Sequence, residues 1–141
     1  MLKALIPFDG SECALRAVDH LISLVQGHEP MAVHLLHVRE PVDGWEIRRV
    51  MTSEEIAALQ LSEGEDALQA ARQRLDAAGI PYVAEVLIGD IGQTIARYAD
   101  EVGCDKIVMG SRGESAISGL LLGSVTTKVI HFARVPVTLV K

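Results

Sequence analysis

The segment KIVMGSRGESAISGLLLGSV, residues 106–125, begins as an apolar run of strand type and ends where a Gly-Ser pair opens a helical pattern. Between them lie Gly110, Arg112 and Gly113, then nine residues, then Gly123 and Ser124. Glycine lets main-chain N–H groups turn toward one point with no Cβ in the way. A helix starting at Ser124 adds unpaired N–H donors and a positive dipole end. Ser124 also offers a hydroxyl, and Arg112 a planar fork suited to phosphate. For any one of these glycines, shaping a loop is the plain alternative. Four glycines, an arginine and a Gly-Ser start together favour an anion held beyond the carboxyl end of a strand.

The same alternation repeats outward from this segment. Residues 2–8 are a compact apolar run, read as a buried strand. Ser11 caps a helix in which Ala14, Val18, Leu21 and Val25 recur at helical spacing until Gly27. Residues 31–38 form a second strand. The Pro- and Gly-bearing stretch 39–51 reads as a long irregular connection in which Trp45 covers a core edge. Thr52 and Glu55 make a capping box for a helix to about Ala78, with Leu61, Gly64, Leu68, Ala71, Leu75 and Ala78 as its inward stripe. Residues 82–88 are a third strand. Asp90 with Gln93 caps a helix carrying Ile91, Ile95, Ala99 and Val102, which Gly103 stops. Residues 106–109, 124–133 and 135–140 complete the series as strand, helix and strand. The expectation is one α/β domain over residues 1–141, an open doubly wound sheet of five parallel strands in order 3-2-1-4-5 with helices on both faces. In that order strands 1 and 4 are neighbours, and the turn Pro7-Phe8-Asp9-Gly10-Ser11 faces the glycine loop across the crevice where such sheets bind ligands.

Composition narrows the function. The chain has 141 residues, is 49% hydrophobic and carries a formal charge of −6. No apolar run approaches the roughly 18 residues of a membrane helix, and the N-terminus reads as a strand, not a signal peptide. Cys13 and Cys104 have no CxxC spacing, which disfavours zinc or a disulfide framework and makes a reducing cytoplasm the default. Overall acidity argues against a nucleic-acid partner. Yet residues 106–141 hold five basic groups and one acidic group, a local basic end suited to a small anion.

The spacing Gly110-x-x-Gly113-(nine residues)-Gly123-Ser124 resembles the nucleotide loop of the universal stress protein family, in its ATP-binding branch. The likeness covers the whole chain, including Pro7 and Asp9 after the first strand, His37-Val38 ending the second, and Val135-Pro136-Val137. It implies an adenine nucleotide, ATP with magnesium or manganese, in a stress-response module. Pro7 and Asp9 would lie at the adenine end, and Val38 would touch the base through its backbone. Gly110, Arg112, Gly113, Gly123, Ser124 and Val125 would surround ribose and phosphates. It also implies a homodimer, which the apolar C-terminal edge strand of a 3-2-1-4-5 sheet independently favours, and leaves room for an unidentified protein partner.

Rival motifs are weak. GxxxxGK[ST] is absent, as is GxGxxG after the first strand. His34 and His37 stand three apart on a strand, so they point to opposite faces and do not converge on a metal. With no evident base beside a terminal phosphate, a binding module leads. A slow ATPase or self-phosphorylating enzyme, with Ser111, Ser115 or Ser118 as acceptor, is one alternative. A ligand-free dimeric adaptor is the other.

Overall fold

The computed structural model describes residues 1–42, 44–113 and 122–141. Five strands, β1 (Leu2–Pro7), β2 (Met31–Arg39), β3 (Tyr82–Ile88), β4 (Lys106–Gly110) and β5 (Val137–Val140), pair parallel in the order β3-β2-β1-β4-β5. The central strands β1 and β4 read as near-continuous apolar runs because helices cover both faces. In β1, Ala4 and Ile6 join a core with α1 (Glu12–Gln26) and α3 (Ser53–Ala77), including Ala17, Val18, Leu21, Leu68, Ala71 and Leu75. Leu5 goes to the other layer, where Leu36, Ile107 and Met109 meet α4 (Ile91–Val102) and α5 (Ser124–Phe132) through Ile95, Ala99 and Val129. The sequence alternation predicts this doubly wound architecture.

Helix starts follow local chemistry. The Ser11 hydroxyl accepts the Ala14 N–H at 3.1 Å, and Thr52 and Glu55 satisfy each other's main-chain donors at 3.1 Å each. Asp90 accepts the Gln93 N–H at 3.1 Å. These bonds occupy N–H groups that a helix start otherwise leaves unpaired. Gly64 has a separate cause. Mid-helix glycine costs about 1 kcal/mol relative to alanine, but a Cβ there would lie 2.4 Å from Val86 Cγ1, so its absence lets α3 press onto β3.

Three local readings need correction. The stretch 39–51 contains a short helix, α2 (Trp45–Val50), with no buried residue. Trp45, 65% exposed, covers no core edge; the Arg49 guanidinium sits 5.4 Å above its ring. On α3 the inward stripe runs through Gln60, not Leu61, which is 53% exposed. The last strand begins at Val137, two residues after the expected start.

Candidate functional site

The winding reverses between β1 and β4, and the carboxyl ends of these strands open onto a cavity of about 520 Å³. Small-molecule sites fall at such switch points and span about 300–1,000 Å³. Pro7, Asp9, Val38, Gly110, Arg112, Gly113, Gly123, Ser124 and Val125 all line this one cavity. Ser111 is buried beside it; Ser115 and Ser118 lie outside the described residues.

One end is rich in main-chain donors. The neck of the β4–α5 connection is closed by the Gly123 N–H, which donates to the Ser111 carbonyl at 2.9 Å. Gly123 is the N-cap of α5 and supplies no side-chain cap, unlike Ser11, Thr52 and Asp90 on α1, α3 and α4. The first bond within α5 is Thr127 N–H to the Gly123 carbonyl at 3.0 Å. Ser124, Val125 and Thr126 therefore begin the helix at the cavity wall with no capping side chain from among the described residues. Hydrogen bonds from such donors to a charged group contribute about 1.5–3 kcal/mol each. The end is rigidly mounted: buried Thr126 donates its hydroxyl to the Gly110 carbonyl at 3.1 Å, and Ser111 N–H donates to Val140 at 2.8 Å.

Facing it is the β1–α1 turn. Gly10 takes a φ of 87°, a left-handed conformation that favours glycine. That turn lets the Asp9 carboxylate accept the Ser11 N–H at 2.9 Å, steadying the cap of α1. Gly113 lies against the same carboxylate, and a Cβ there would stand 2.6 Å from Asp9 Oδ2. Gly110 has a different neighbour: its Cβ would lie 3.0 Å from both the carbonyl carbon and Sγ of Cys13. Cys13 donates to the Val140 carbonyl at 3.0 Å. Burial pushes its thiol up, but hydrogen bonds from the Arg112 main chain and Ser111 outweigh that, so it lies below the ordinary thiol range.

The remaining wall is apolar at Leu36, Ile91, Ile95 and Met109 and polar at His37, Arg39, Gln60 and Glu63. Sequence reasoning missed this polar group. Gln60 is buried and donates its amide to the Glu40 carbonyl at 3.0 Å; Arg39 pairs with Glu63 at 2.6 Å. A polar residue on the apolar stripe of α3 was the one available signal. His34 is elsewhere, its Nδ1 3.1 Å from the Tyr98 hydroxyl. Burial and then Lys3 lower its pKa, while burial pushes Tyr98 up to about 12. Among the described residues no group of three or more His, Cys, Asp or Glu side chains gathers for a metal ion. No helix among them is long and apolar enough to cross a membrane.

A doubly wound parallel sheet with its cleft at the switch point defines a Rossmann-like α/β domain. The model of the universal stress protein family matches residues 1–141, and the chain belongs to that family. It is 32% identical to Universal stress protein MJ0531 of Methanocaldococcus jannaschii, over 99% of this chain and 81% of that protein. The solved structure of MJ0577 superposes with a TM-score of 0.80 at 31% identity, covering 99% of this chain and 95% of that one. A universal stress protein solved in complex with cAMP superposes at 0.73 with 25% identity, covering 99% and 97%.

Proposed function

We propose that this chain is an adenine-nucleotide-binding regulatory module of the stress response, acting as a homodimer in the cytoplasm. The observation that carries the reading is the facing pair of turns. Asp9 after β1 meets Gly113 after β4, and the start of α5, whose N-cap Gly123 offers no side chain, lies on the same cavity. Phosphates suit the Ser124–Thr126 main-chain donors and the Arg112 fork. The sugar suits Asp9, whose carboxylate accepts hydroxyl hydrogens, and the base suits Pro7, Leu36, Met109 and the Val38 backbone. The cAMP complex of a relative with the same fold supports an adenine ligand. ATP is the proposed occupant, with magnesium or manganese carried by its phosphates, since such ions keep few protein ligands at phosphate sites.

Dimerisation is proposed through β5, an edge strand of the sheet. The protein partner that reads the bound state is of unidentified kind. The test is mass spectrometry of small molecules released on denaturing the purified protein, with calorimetric titration of the emptied protein by ATP, ADP, AMP and cAMP. Release of an adenine nucleotide and micromolar binding of at least one are expected. No release and no binding at millimolar concentration would overturn the reading in favour of a ligand-free adaptor.

A further inference from the structure

In a parallel sheet, successive residues of a strand turn both their N–H and C=O toward alternate neighbours. In β2, Leu36 faces β1, since its carbonyl accepts the Phe8 N–H at 2.8 Å. Arg39 faces β3, since its carbonyl accepts the Gly89 N–H at 2.9 Å. Val38, two residues beyond Leu36, therefore faces β1 again. The next rung of that ladder would join the Val38 N–H to the Phe8 carbonyl. Instead the Phe8 carbonyl is taken by His37 Nδ1 at 2.7 Å. Among the described residues no main-chain bond joins Val38 to β1, and the last β1–β2 register pair is Pro7 with Leu36.

The His37 ring is fixed for this task. A carbonyl only accepts, so Nδ1 donates a hydrogen to it. Arg39 Nη1 lies 3.4 Å from Nε2, and Arg39 is tied to Glu63 on α3 at 2.6 Å. His37 is 7% exposed, so water competes little for these bonds. Val38 and His37 both line the cavity.

We propose that His37 is a positioning residue that ends the β1–β2 ladder one rung early, leaving the Val38 N–H and C=O as a donor–acceptor pair facing the cavity. Such a pair matches the edge of a 6-aminopurine, which presents the N1 acceptor beside the N6 donor. It mismatches a 6-oxopurine, which presents the reverse. The open rung stands on the geometry of this chain alone; the base that fills it rests on the nucleotide reading above.

Amide hydrogen exchange followed by NMR on the full, ligand-free chain tests the open rung directly. The Val38 amide is expected to exchange at least about tenfold faster than that of Leu36, its counterpart on the closed rung. Equal protection of the two in the wild type overturns the proposal, and this arm needs no variant to fold. In His37→Leu the freed Phe8 carbonyl should capture the Val38 N–H and slow its exchange. His37→Asn, which keeps a donor near the Nδ1 position, should leave it fast. Unchanged Val38 exchange in a folded His37→Leu protein also overturns the proposal. Titration with ATP, ITP and inorganic tripolyphosphate separates the two readings. Preference for ATP over ITP should fall about tenfold in His37→Leu, with tripolyphosphate affinity unchanged. A fast Val38 amide in a protein that binds no nucleotide would leave His37 in its role and refute the nucleotide.

Discussion

The Asp9 carboxylate rests against Gly113, at a distance that would put an added Cβ 2.6 Å from Oδ2. The obstruction is the far end of one side chain, which can rotate away. Gly113→Ala should therefore cost no more than the Ser11 N–H bond that the carboxylate accepts, about 1 kcal/mol, yet turn the carboxylate out of its place in the cavity. We expect ATP affinity to fall about tenfold, the loss of one charge-assisted hydrogen bond. Asp9→Ala should do the same, with inorganic tripolyphosphate affected less than ATP in both variants. Calorimetry returning wild-type ATP affinity for Gly113→Ala and Asp9→Ala would remove Asp9 from the site.

Gly110 predicts the opposite pattern. Its absent Cβ would press on main chain, 3.0 Å from the Cys13 carbonyl carbon and 3.1 Å from the Ala14 nitrogen. Helix α1 must shift to admit it, and overpacking of this kind costs about 1–3 kcal/mol. Gly110→Ala should lower Tm by roughly 3–10 °C. A thermal melt within a degree of wild type would show that the glycine is there for the ligand and not for packing.

Turnover should be slow. The chain has no P-loop lysine motif, and a positioned base or nucleophile is what hydrolysis requires. With ATP and magnesium, we expect a rate far below the roughly 10 s⁻¹ median of enzymes. Phosphate release near that median would promote the ATPase alternative over the binding module.

The edge of β5 gives a sharper test of dimerisation than its sequence did. Ile107 N–H donates to Pro136 and Ser111 N–H to Val140, so even-numbered residues of this strand face β4. Thr138, the obvious central position for a proline block, therefore turns its N–H inward; Val137 and Leu139 face the open edge. Leu139→Pro removes an outward donor and spares the β4 ladder. Sedimentation at micromolar concentration should find a dimer for wild type and mostly monomer for Leu139→Pro. A wild-type species of 15.2 kDa throughout would show that β5 does not pair.

Strand order and the facing turns were legible because the central strands β2, β1 and β4 are buried on both faces and each long helix start carries its own cap. Orientation within those elements was not. Leu61 looked like a core residue and Gln60 did not, yet Gln60 is buried because the Glu40 carbonyl, twenty residues back, receives its amide at 3.0 Å. His37 and His34 point to opposite faces of β2, one ring meeting the Phe8 carbonyl and the other the Tyr98 hydroxyl. The bond from His37 to Phe8 depends on where β1 stops, which no spacing reveals. Gly110 and Gly113 both line the cavity and looked alike in the motif, and only their neighbours in space separate the glycine packed on α1 from the one against the Asp9 carboxylate.

The contact between Gly64 and Val86 sets more than a spacing. A 25-residue helix slides and turns easily over a smooth sheet, but here the one gap in its side-chain surface is filled by a branched side chain of β3. The two positions work like a peg and its socket. Gln60 and Glu63 sit a turn or less from that socket, so their aim into the cavity is indexed from a point outside it. A larger residue at 64 therefore calls for a smaller one at 86, or the polar wall of the cavity goes out of alignment.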